Sequence, residues 1–479
     1  MPDPILPSTP PAAMKWWTLA VVGSGTFMSA LDTSVINIAL PSIGRQTGAS
    51  ISTLEWVALA YLITVSATLL AFGRLGDLQG RRRIYMLGQA LFGLGSLFCA
   101  LSGGIGLLIA SRVVQGLGAS MLFALSPAIL VAVFPPEARG RALGMQATMT
   151  YLGMSIGPGL GGFLTQHFGW PAIFFVNVPI AFIMLAVSYR VLRTDARRQA
   201  QPFDLRGSLA MMVALALLLF VLSKGLDLGW TSLPVLAAAT VALLAFLLFL
   251  RTETRVAHPA LDLHLFRSPA FSFSTLAAFL CYVTTAGTNF MLPFFLIQGC
   301  ARTTGQAGLV MMMIPAGMLA LTGLSGLLSD RIGPRLPTVL GMLLMAAGFL
   351  LVRTLTPATP LHPTLAFALL IGLGAGLFTA PNNSAIMGAA PGARQGVAGA
   401  VLAAARTIGF ASGVALGGLS LTLAMHRQAR RPAAAAVQAG LRQGLLALSG
   451  LAVLAALLCL IRRRTPRARP AQAPRPEPA

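Results

Sequence analysis

Long apolar runs alternate with short polar breaks along almost the whole chain. Most of these runs approach or exceed the roughly 20 residues that an α-helix needs to cross the hydrocarbon core of a bilayer. Their repetition excludes a soluble protein with one membrane anchor. The pattern predicts fourteen membrane-spanning helices, near residues 17–40, 55–73, 84–102, 105–133, 141–165, 172–190, 207–224, 233–250, 272–298, 306–328, 336–352, 363–388, 398–424 and 443–461.

Composition agrees with a protein whose main solvent is lipid. Of 479 residues, 56% are hydrophobic and only 10% are charged, values outside the range of ordinary soluble domains. The formal net charge of +22 raises the question of a nucleic-acid partner. Nucleic-acid modules cluster basic and aromatic residues on one soluble face, whereas these arginines lie between apolar runs. We therefore expect no nucleic-acid partner.

The basic residues also predict an orientation, because Lys and Arg concentrate in cytoplasmic loops. With both termini inside, the inner loops and tails carry 24 Lys and Arg residues and the outer ones carry 8. A basic cluster at 427–431 is an exception on the outer side. Arginine outnumbers lysine 32 to 2, which indicates a bacterial genome rich in G and C. The expected location is the cytoplasmic membrane of a bacterium.

The chain contains an internal repeat. Gly73–Arg82 recurs as Gly326–Arg335 at an offset of 253, and two sets of glycines recur at an offset of 256. This repeat predicts two parallel six-helix halves with a substrate site between them near mid-membrane. The expected division is a disordered tail, an N-terminal half, an inserted helix pair with flanking loops, a C-terminal half and a basic Pro-rich tail, at residues 1–15, 16–190, 191–271, 272–461 and 462–479.

Three full charges lie well inside apolar runs: Asp32, Arg112 and Arg406. Because charge in a bilayer is costly, each is a candidate functional group facing a cavity or a partner. The helical rise of about 1.5 Å per residue places Asp32 and Arg112 at similar depth. Asp32 is the candidate proton carrier, since arginine does not deprotonate under these conditions, and Arg112 would tune its proton affinity. A static buried ion pair is the alternative.

Further polar groups are candidates for a substrate cavity. These are Asn37, Asn289 and Arg406. For Arg406 the alternatives are pairing with backbone carbonyls and holding its helix in register. With two intramembrane arginines against one aspartate, we expect neutral, zwitterionic or weakly anionic cargo at least as readily as dications.

The segment Gly73–Arg83 reads Gly-x-Leu-x-Asp-x-x-Gly-Arg-Arg-Arg, which resembles the signature loop of the major facilitator superfamily. Glycine permits the tight turn that such a loop requires. The alternative is a basic loop that serves only to orient the chain. The resemblance implies a cytoplasmic gate that forms and breaks as the halves rock, with Gly73, Asp77, Gly80, Arg81 and Asp330 as its residues.

Predicted helix 5 carries glycines at a spacing of four, which lets another helix approach closely, and a Gly-Pro step that bends it. Helix packing alone is one explanation of this stripe. The segment also resembles the antiporter motif of exporters in the same superfamily, on Gly153, Gly157, Pro158, Gly161 and Gly162.

Three other features are similar to the fourteen-span drug:proton antiporter branch. They are Leu31–Pro41 in helix 1, Phe174–Pro179 at helix 6 and Arg406 in helix 13. The likeness extends from about residue 16 to 461 and covers the helix 4 segment Arg112–Gly116, which resembles a motif associated with proton transfer.

The expected protein is an all-α polytopic membrane protein of the major-facilitator type that exports small amphiphilic organic molecules in exchange for protons. We expect no catalysed reaction, no cofactor and no metal site, because the four cysteines are scattered and no Walker A loop is present. The expected partners are substrate, protons and lipid, and the expected unit is a monomer. A proton-coupled importer and a non-transporting membrane receptor are the alternatives.

Overall fold

The computed structural model describes residues 12–192, 205–253, 263–390, 395–428 and 432–462, apart from the side chains of some helical residues. These residues form helices joined by short connections. The α-helices are α1 (Ala12–Thr47), α2 (Ile51–Gln79), α3 (Arg81–Ala100), α4 (Ile105–Val133), α5 (Pro136–Phe168), α6 (Ala172–Phe175), α7 (Asn177–Val191), α8 (Leu205–Leu228), α9 (Leu233–Glu253), α10 (Pro269–Phe294), α11 (Thr304–Ile332), α12 (Arg335–Arg353), α13 (Leu361–Ala389), α14 (Gln395–Arg427) and α15 (Ala433–Ile461).

Each predicted span coincides with a helix, and short 3-10 and π segments at Leu263–Arg267 and Phe295–Gly299 flank α10. Twelve helices of the described chain are long and apolar enough to cross a membrane, with α6 and α7 counted as one. The two remaining predicted spans correspond to α5 and α8, which fall outside this group. The described apolar part of α8 covers only Leu209–Val221. The count of fourteen spans therefore stays a prediction.

The segment after Gly73 is more helical than the predicted loop. Helix α2 continues to Gln79, and only Gly80 separates it from α3. Gly80 has φ +98°, a conformation that favours glycine. The loop prediction was wrong for Gly73–Gln79 because the α2 end packs on α4, where a Cβ at Gly76 would collide with Leu125.

The second copy of this segment has the same geometry. Helix α11 ends at Ile332, Gly333 has φ +87° and α12 begins at Arg335. Gly333 occupies the position that the repeat assigns to Gly80. The sequence repeat therefore corresponds to a repeated helix–turn–helix structure.

The glycine-rich helices of the two repeats also pack alike. Gly153, Gly157 and Gly161 of α5 lie against α1, where added Cβ atoms would collide with Phe27, Ser34 and Val35. In the second repeat, Gly409, Gly413 and Gly417 of α14 lie against α10. Absence of side chains on these faces lets the paired helices approach closely.

In each repeat, one further glycine contacts a helix of the other half. A Cβ at Gly162 would lie 2.7 Å from the carbonyl oxygen of Thr304 in α11. Gly418 of α14 lies against the carboxylate of Glu55 in α2. Because α2 and α11 are equivalent in the repeat, the two crossing contacts are related by the same pseudo-symmetry.

The bundle has an arginine-rich end, defined by Arg81, Arg82, Arg141, Arg335 and Arg462, and an opposite, arginine-poor end. At the arginine-poor end the halves touch, and the Gly305 amide of α11 donates to Gln166 Oε1 of α5 at 2.9 Å. Toward the arginine-rich end, Cβ atoms added at Gly323, Gly326, Gly388 or Gly399 would meet open space. The halves are thus in contact at the arginine-poor end, whereas these four glycines toward the other end have no described atom within 4 Å of the Cβ position.

Helices α8 and α9 pack against each other, and α8 also contacts α2 and α14. Lys224 near the end of α8 donates to Ser52 Oγ and Thr53 Oγ1, each at 3.0 Å. The ring of Phe220 lies 6.3 Å from that of Trp56 between centroids. These contacts attach the pair to the arginine-poor part of α2.

Candidate functional site

A cavity lies between the two repeats. Helices α1, α2, α4 and α5 of the first repeat and α10 and α14 of the second contribute to its wall. The lining residues are Thr33, Ser34, Ile36, Asn37, Ala58, Tyr61, Leu62, Arg112, Met154, Ala286, Asn289, Phe410 and Val414. The candidate cavity residues Asn37 and Asn289 both belong to it. Arg112 is the one charged residue among those that line it.

Asp32 and Arg112 form an ion pair at the wall of this cavity, between Oδ2 and Nη1. Both residues are 0% exposed. The Asp32 carboxylate lies behind Arg112 and is not part of the cavity lining. An ion pair enclosed in this way is strong because little water screens it, and separating its members leaves an expensive buried charge.

Two carboxamides hold the other side of the carboxylate. Gln115 Nε2 donates to Asp32 Oδ1 at 2.8 Å, and Asn177 Nδ2 approaches the same oxygen at 3.3 Å. Gln115 also accepts a hydrogen bond from Arg112 Nη1 at 2.6 Å through its Oε1. One glutamine therefore bridges both members of the ion pair. The amide of Gln115 donates further to Ser96 Oγ at 2.9 Å.

Arg112 is fixed by three further contacts. Its Nε donates to the Val57 carbonyl oxygen at 2.9 Å. The guanidinium carbon lies 4.3 Å from the ring centroid of Tyr61 and 5.8 Å from that of Phe174. Cations stack favourably on aromatic faces, most strongly where water is excluded. Arg112 thus connects α4 with α1, α2 and the short helix α6.

In this arrangement the carboxylate of Asp32 is the counter-ion of Arg112 at the cavity wall. An ionised carboxylate only accepts hydrogen bonds, whereas a protonated one also donates. Protonation of Asp32 would therefore cancel its charge, weaken the pair with Arg112 and force the amides of Gln115 and Asn177 to rearrange. The positive charge of Arg112 would then lack its counter-ion beside the cavity.

The proposed gate residues lie around the α2–α3 turn and its repeat. Arg81 Nη1 donates to the Ala128 carbonyl oxygen of α4 at 3.0 Å. Gly73 lies inside α2, and Gly80 forms the turn. Asp77 and Asp330 fall in the last turns of α2 and α11, but their side chains lie outside the described part of the structure. Their gate role stays a prediction.

Arg406 does not line the cavity. Its side chain is exposed, one turn of α14 before Phe410, which does line it. This position is displaced toward the arginine-rich end. The structure thus separates Arg406 from Asn37 and Asn289.

The residues of the predicted antiporter motif occupy two faces of α5. Gly153, Gly157 and Gly161 contact α1, whereas Gly162 contacts α11. The Pro158 carbonyl oxygen would lie 2.5 Å from a Cβ at Gly308 of α11. Helix α5 therefore joins the cavity-lining α1 to the opposite half at the closed end.

Sequence reasoning missed the carboxamides that hold Asp32. Gln115 lies three residues after Arg112, a spacing that puts both on one helix face, and this signal was available. Asn177 begins the apolar helix α7, and a single amide side chain beside an apolar run was a second available signal. Nothing in the sequence indicated that Tyr61 would stack on Arg112.

Comparisons with known proteins agree with this architecture. The family model of the Major Facilitator Superfamily matches residues 22–414 and 274–479. The riboflavin transporter RibZ of Clostridioides difficile is 34% identical over 84% of this chain and 87% of its own. The multidrug resistance protein Stp of Mycobacterium tuberculosis is 32% identical over 87% of this chain and 78% of its own.

Solved structures support the fold. A bacterial homologue of the human lysosomal transporter Spinster, in an inward-facing and unoccupied conformation, gives a TM-score of 0.70 at 16% identity. The match covers 95% of this chain and all of the other. Named relatives include drug-resistance proteins, and these proteins are transporters of small molecules rather than enzymes. The chain is therefore an integral multi-pass membrane transporter and belongs to the Major Facilitator Superfamily.

Proposed function

We propose that this transporter is a proton-coupled antiporter that exports small amphiphilic organic molecules across a bacterial cytoplasmic membrane. Its unit would be a monomer of fourteen spans, two six-helix halves and an inserted pair, with both termini in the cytoplasm. The observation that carries the proposal is the position of the Asp32–Arg112 pair, which is buried and adjoins the cavity between the repeats.

The mechanism would be alternating access. With the arginine-rich end in the cytoplasm, the present conformation is open inward, because the halves touch at the arginine-poor end. Substrate would enter the cavity from the cytoplasm, and rocking would break the α5–α11 contact at Gly162 and Gly308. Asp32 would take a proton from the outside and release it inside. The proton gradient is the driving force, with no cofactor.

Export rather than import is supported by two lines of argument. The α5 segment resembles the antiporter motif, and its glycines join α1 to α11. A relative 32% identical to this chain is named a multidrug resistance protein. A proton-coupled importer is the second candidate, since another relative, 34% identical, is named a riboflavin transporter.

The cavity lining supports neutral or weakly anionic cargo. Asn37 and Asn289 offer amides, Tyr61 and Phe410 offer aromatic faces, and no carboxylate belongs to the lining. The Asn37 Oδ1 atom is buried and accepts no hydrogen bond from the described residues. Buried polar atoms are normally paired, so a cargo molecule with hydrogen-bond donors would suit this wall.

The test measures flux in inverted membrane vesicles with a fluorescent neutral substrate. An inside-acid gradient should drive substrate into wild-type vesicles, and collapse of the gradient should stop it. Asp32→Asn should bind substrate but lose gradient-driven uptake. If the gradient drives substrate out of the vesicles instead, the importer is correct. Substrate flux of the same rate with and without the proton gradient would disprove proton coupling.

A further inference from the structure

Arg462 follows the last residue of α15 at the arginine-rich end, and it is only 5% exposed. Its Nη1 donates to Ser274 Oγ in the second turn of α10 at 2.9 Å. Its Nη2 is buried and donates to nothing among the described residues. A guanidinium has five donors in a rigid fork, so one buried branch of this fork lacks an acceptor.

A second arginine lies nearby. Arg335 is the first residue of α12, and its side chain is exposed. Burial lowers the pKa of the Arg462 guanidinium, and the positive charge of Arg335 lowers it further. Among the described residues, neither arginine pairs with a carboxylate. Within the described part of the chain, these two like charges near the membrane surface therefore have no carboxylate partner.

The helices add positive potential at the same place. Ser274 belongs to the second turn of α10, and Arg335 begins α12, so the N-termini of both helices point toward this region. Helix N-termini carry a partial positive charge and favour anions. A buried, unsatisfied charged group is costly, and an anion at this position would remove that cost.

We propose that Arg462 and Arg335 form a binding site for a phosphate group at the arginine-rich end, with the headgroup of an anionic phospholipid as its source. Phosphate oxygens match the guanidinium fork, and basic pockets between the cytoplasmic ends of spanning helices suit anionic headgroups. The exposed Arg335 would contact the headgroup first. Rotation of the Arg462 guanidinium would then bring its Nη2 within hydrogen-bonding distance of the phosphate. This site lies apart from the cavity and does not depend on transport.

The test uses the full chain in a neutral detergent. Phosphatidylglycerol, phosphatidylcholine or inorganic phosphate is titrated in, and melting temperature and lipid adducts in native mass spectra are measured. Phosphatidylglycerol should raise the melting temperature saturably. Arg462→Gln should weaken this effect about tenfold, and Arg335→Gln should weaken it less. Arg462→Lys, which keeps the charge but loses the fork, should fall between Arg462→Gln and wild type.

Arg353→Gln is the matched control, because Arg353 is an exposed arginine at the other end of α12. It should retain the wild-type response. Equal responses to phosphatidylglycerol in wild type and both glutamine variants would overturn the proposal, as would an equal effect of phosphatidylcholine. If inorganic phosphate, but not phosphatidylglycerol, raises the melting temperature saturably, the phosphate site is supported and its ligand is a soluble phosphate rather than a lipid. If Arg462→Gln does not fold, the exposed Arg335→Gln decides the outcome.

Discussion

Gln115 donates a hydrogen bond to Asp32 at 2.8 Å and, through the other end of the same carboxamide, accepts one from the arginine that pairs with Asp32. This bridge fixes the distance between the ionisable carboxylate and its counter-ion. Protonation of Asp32 would therefore change the hydrogen bonds that Gln115 makes. The bridge makes the proposed coupling between proton and cavity accessible to mutation.

Replacement of Gln115 by Leu should destabilise the protein by about 2–4 kcal/mol, because two hydrogen bonds to charged partners are lost. It should also reduce gradient-driven flux, since the Asp32 carboxylate loses one of its hydrogen-bond donors. Thermal unfolding and gradient-driven flux in vesicles check the two effects.

The matched control is Gln89→Leu. Gln89 is also a buried glutamine, but neither of its amide atoms has a hydrogen-bond partner among the described residues. Its removal should leave gradient-driven flux unchanged and cost little stability. If both variants reduce gradient-driven flux alike, Gln115 has no special connection to Asp32.

Gly153→Ala should destabilise the α1–α5 contact by about 1–3 kcal/mol, because the new Cβ would collide with the Phe27 carbonyl oxygen. On the same helix, a Cβ at Gly144 would meet open space. Gly144→Ala should therefore be neutral or stabilise by up to about 1 kcal/mol, from helix propensity. Denaturation in detergent compares the two. Similar losses in both variants would contradict the observed packing of α5 on α1.

Gly308→Leu should open the arginine-poor end, because its side chain would push against Pro158 and Gly162 of α5. Spin labels on the α5 and α11 ends should report a longer distance than in wild type. Gly323→Leu, on the same helix but facing open space, is the control and should leave the distance distribution unchanged. An unchanged distribution in Gly308→Leu would show that this contact does not hold the end closed.

Asn37→Asp and Asn289→Asp should each shift cargo preference toward dications. Each places a carboxylate at the wall of a cavity whose lining has none, and an opposite charge in a poorly hydrated site is strongly favourable. Protection of a pump-deficient bacterium against methyl viologen and against a neutral drug, expressed as a ratio, is the measurement. Ser50→Asp adds the same charge at an exposed site and should not change the ratio. Unaltered ratios in both cavity variants would place cargo binding elsewhere.

The placement of the helices was visible in the apolar pattern because each spanning segment forms its own backbone hydrogen bonds, whatever its neighbours do. The same reasoning failed at Gly73–Gln79. There the polar and glycine residues indicated a loop, but contact with α4 continued the helix to Gln79. Tertiary packing outweighed local propensity at this position.

The candidate site was predictable only in part. Asp32 and Arg112 stand out in the sequence because a charge in an apolar span is expensive, but their pairing depends on helices 80 residues apart in the chain. The sequence also suggested that Arg406 shares a cavity with Asn37 and Asn289, whereas it lies one turn outside. A difference of one helical turn is about 5.4 Å, which no count of residues resolves.

The chain's own pattern of apolar runs, arginines and repeated glycines decided that it forms a repeated helical bundle in a membrane, since each of these features acts through local hydrogen bonding or solvation. Only the tertiary structure decided which faces meet, and hence that Gln115 and Asn177 join Asp32, that one end is closed, and that Nη2 of Arg462 is buried without an acceptor among the described residues. Such facts depend on how helices distant in sequence rotate and cross. Those rotations are set by the packing of whole surfaces rather than by any one segment.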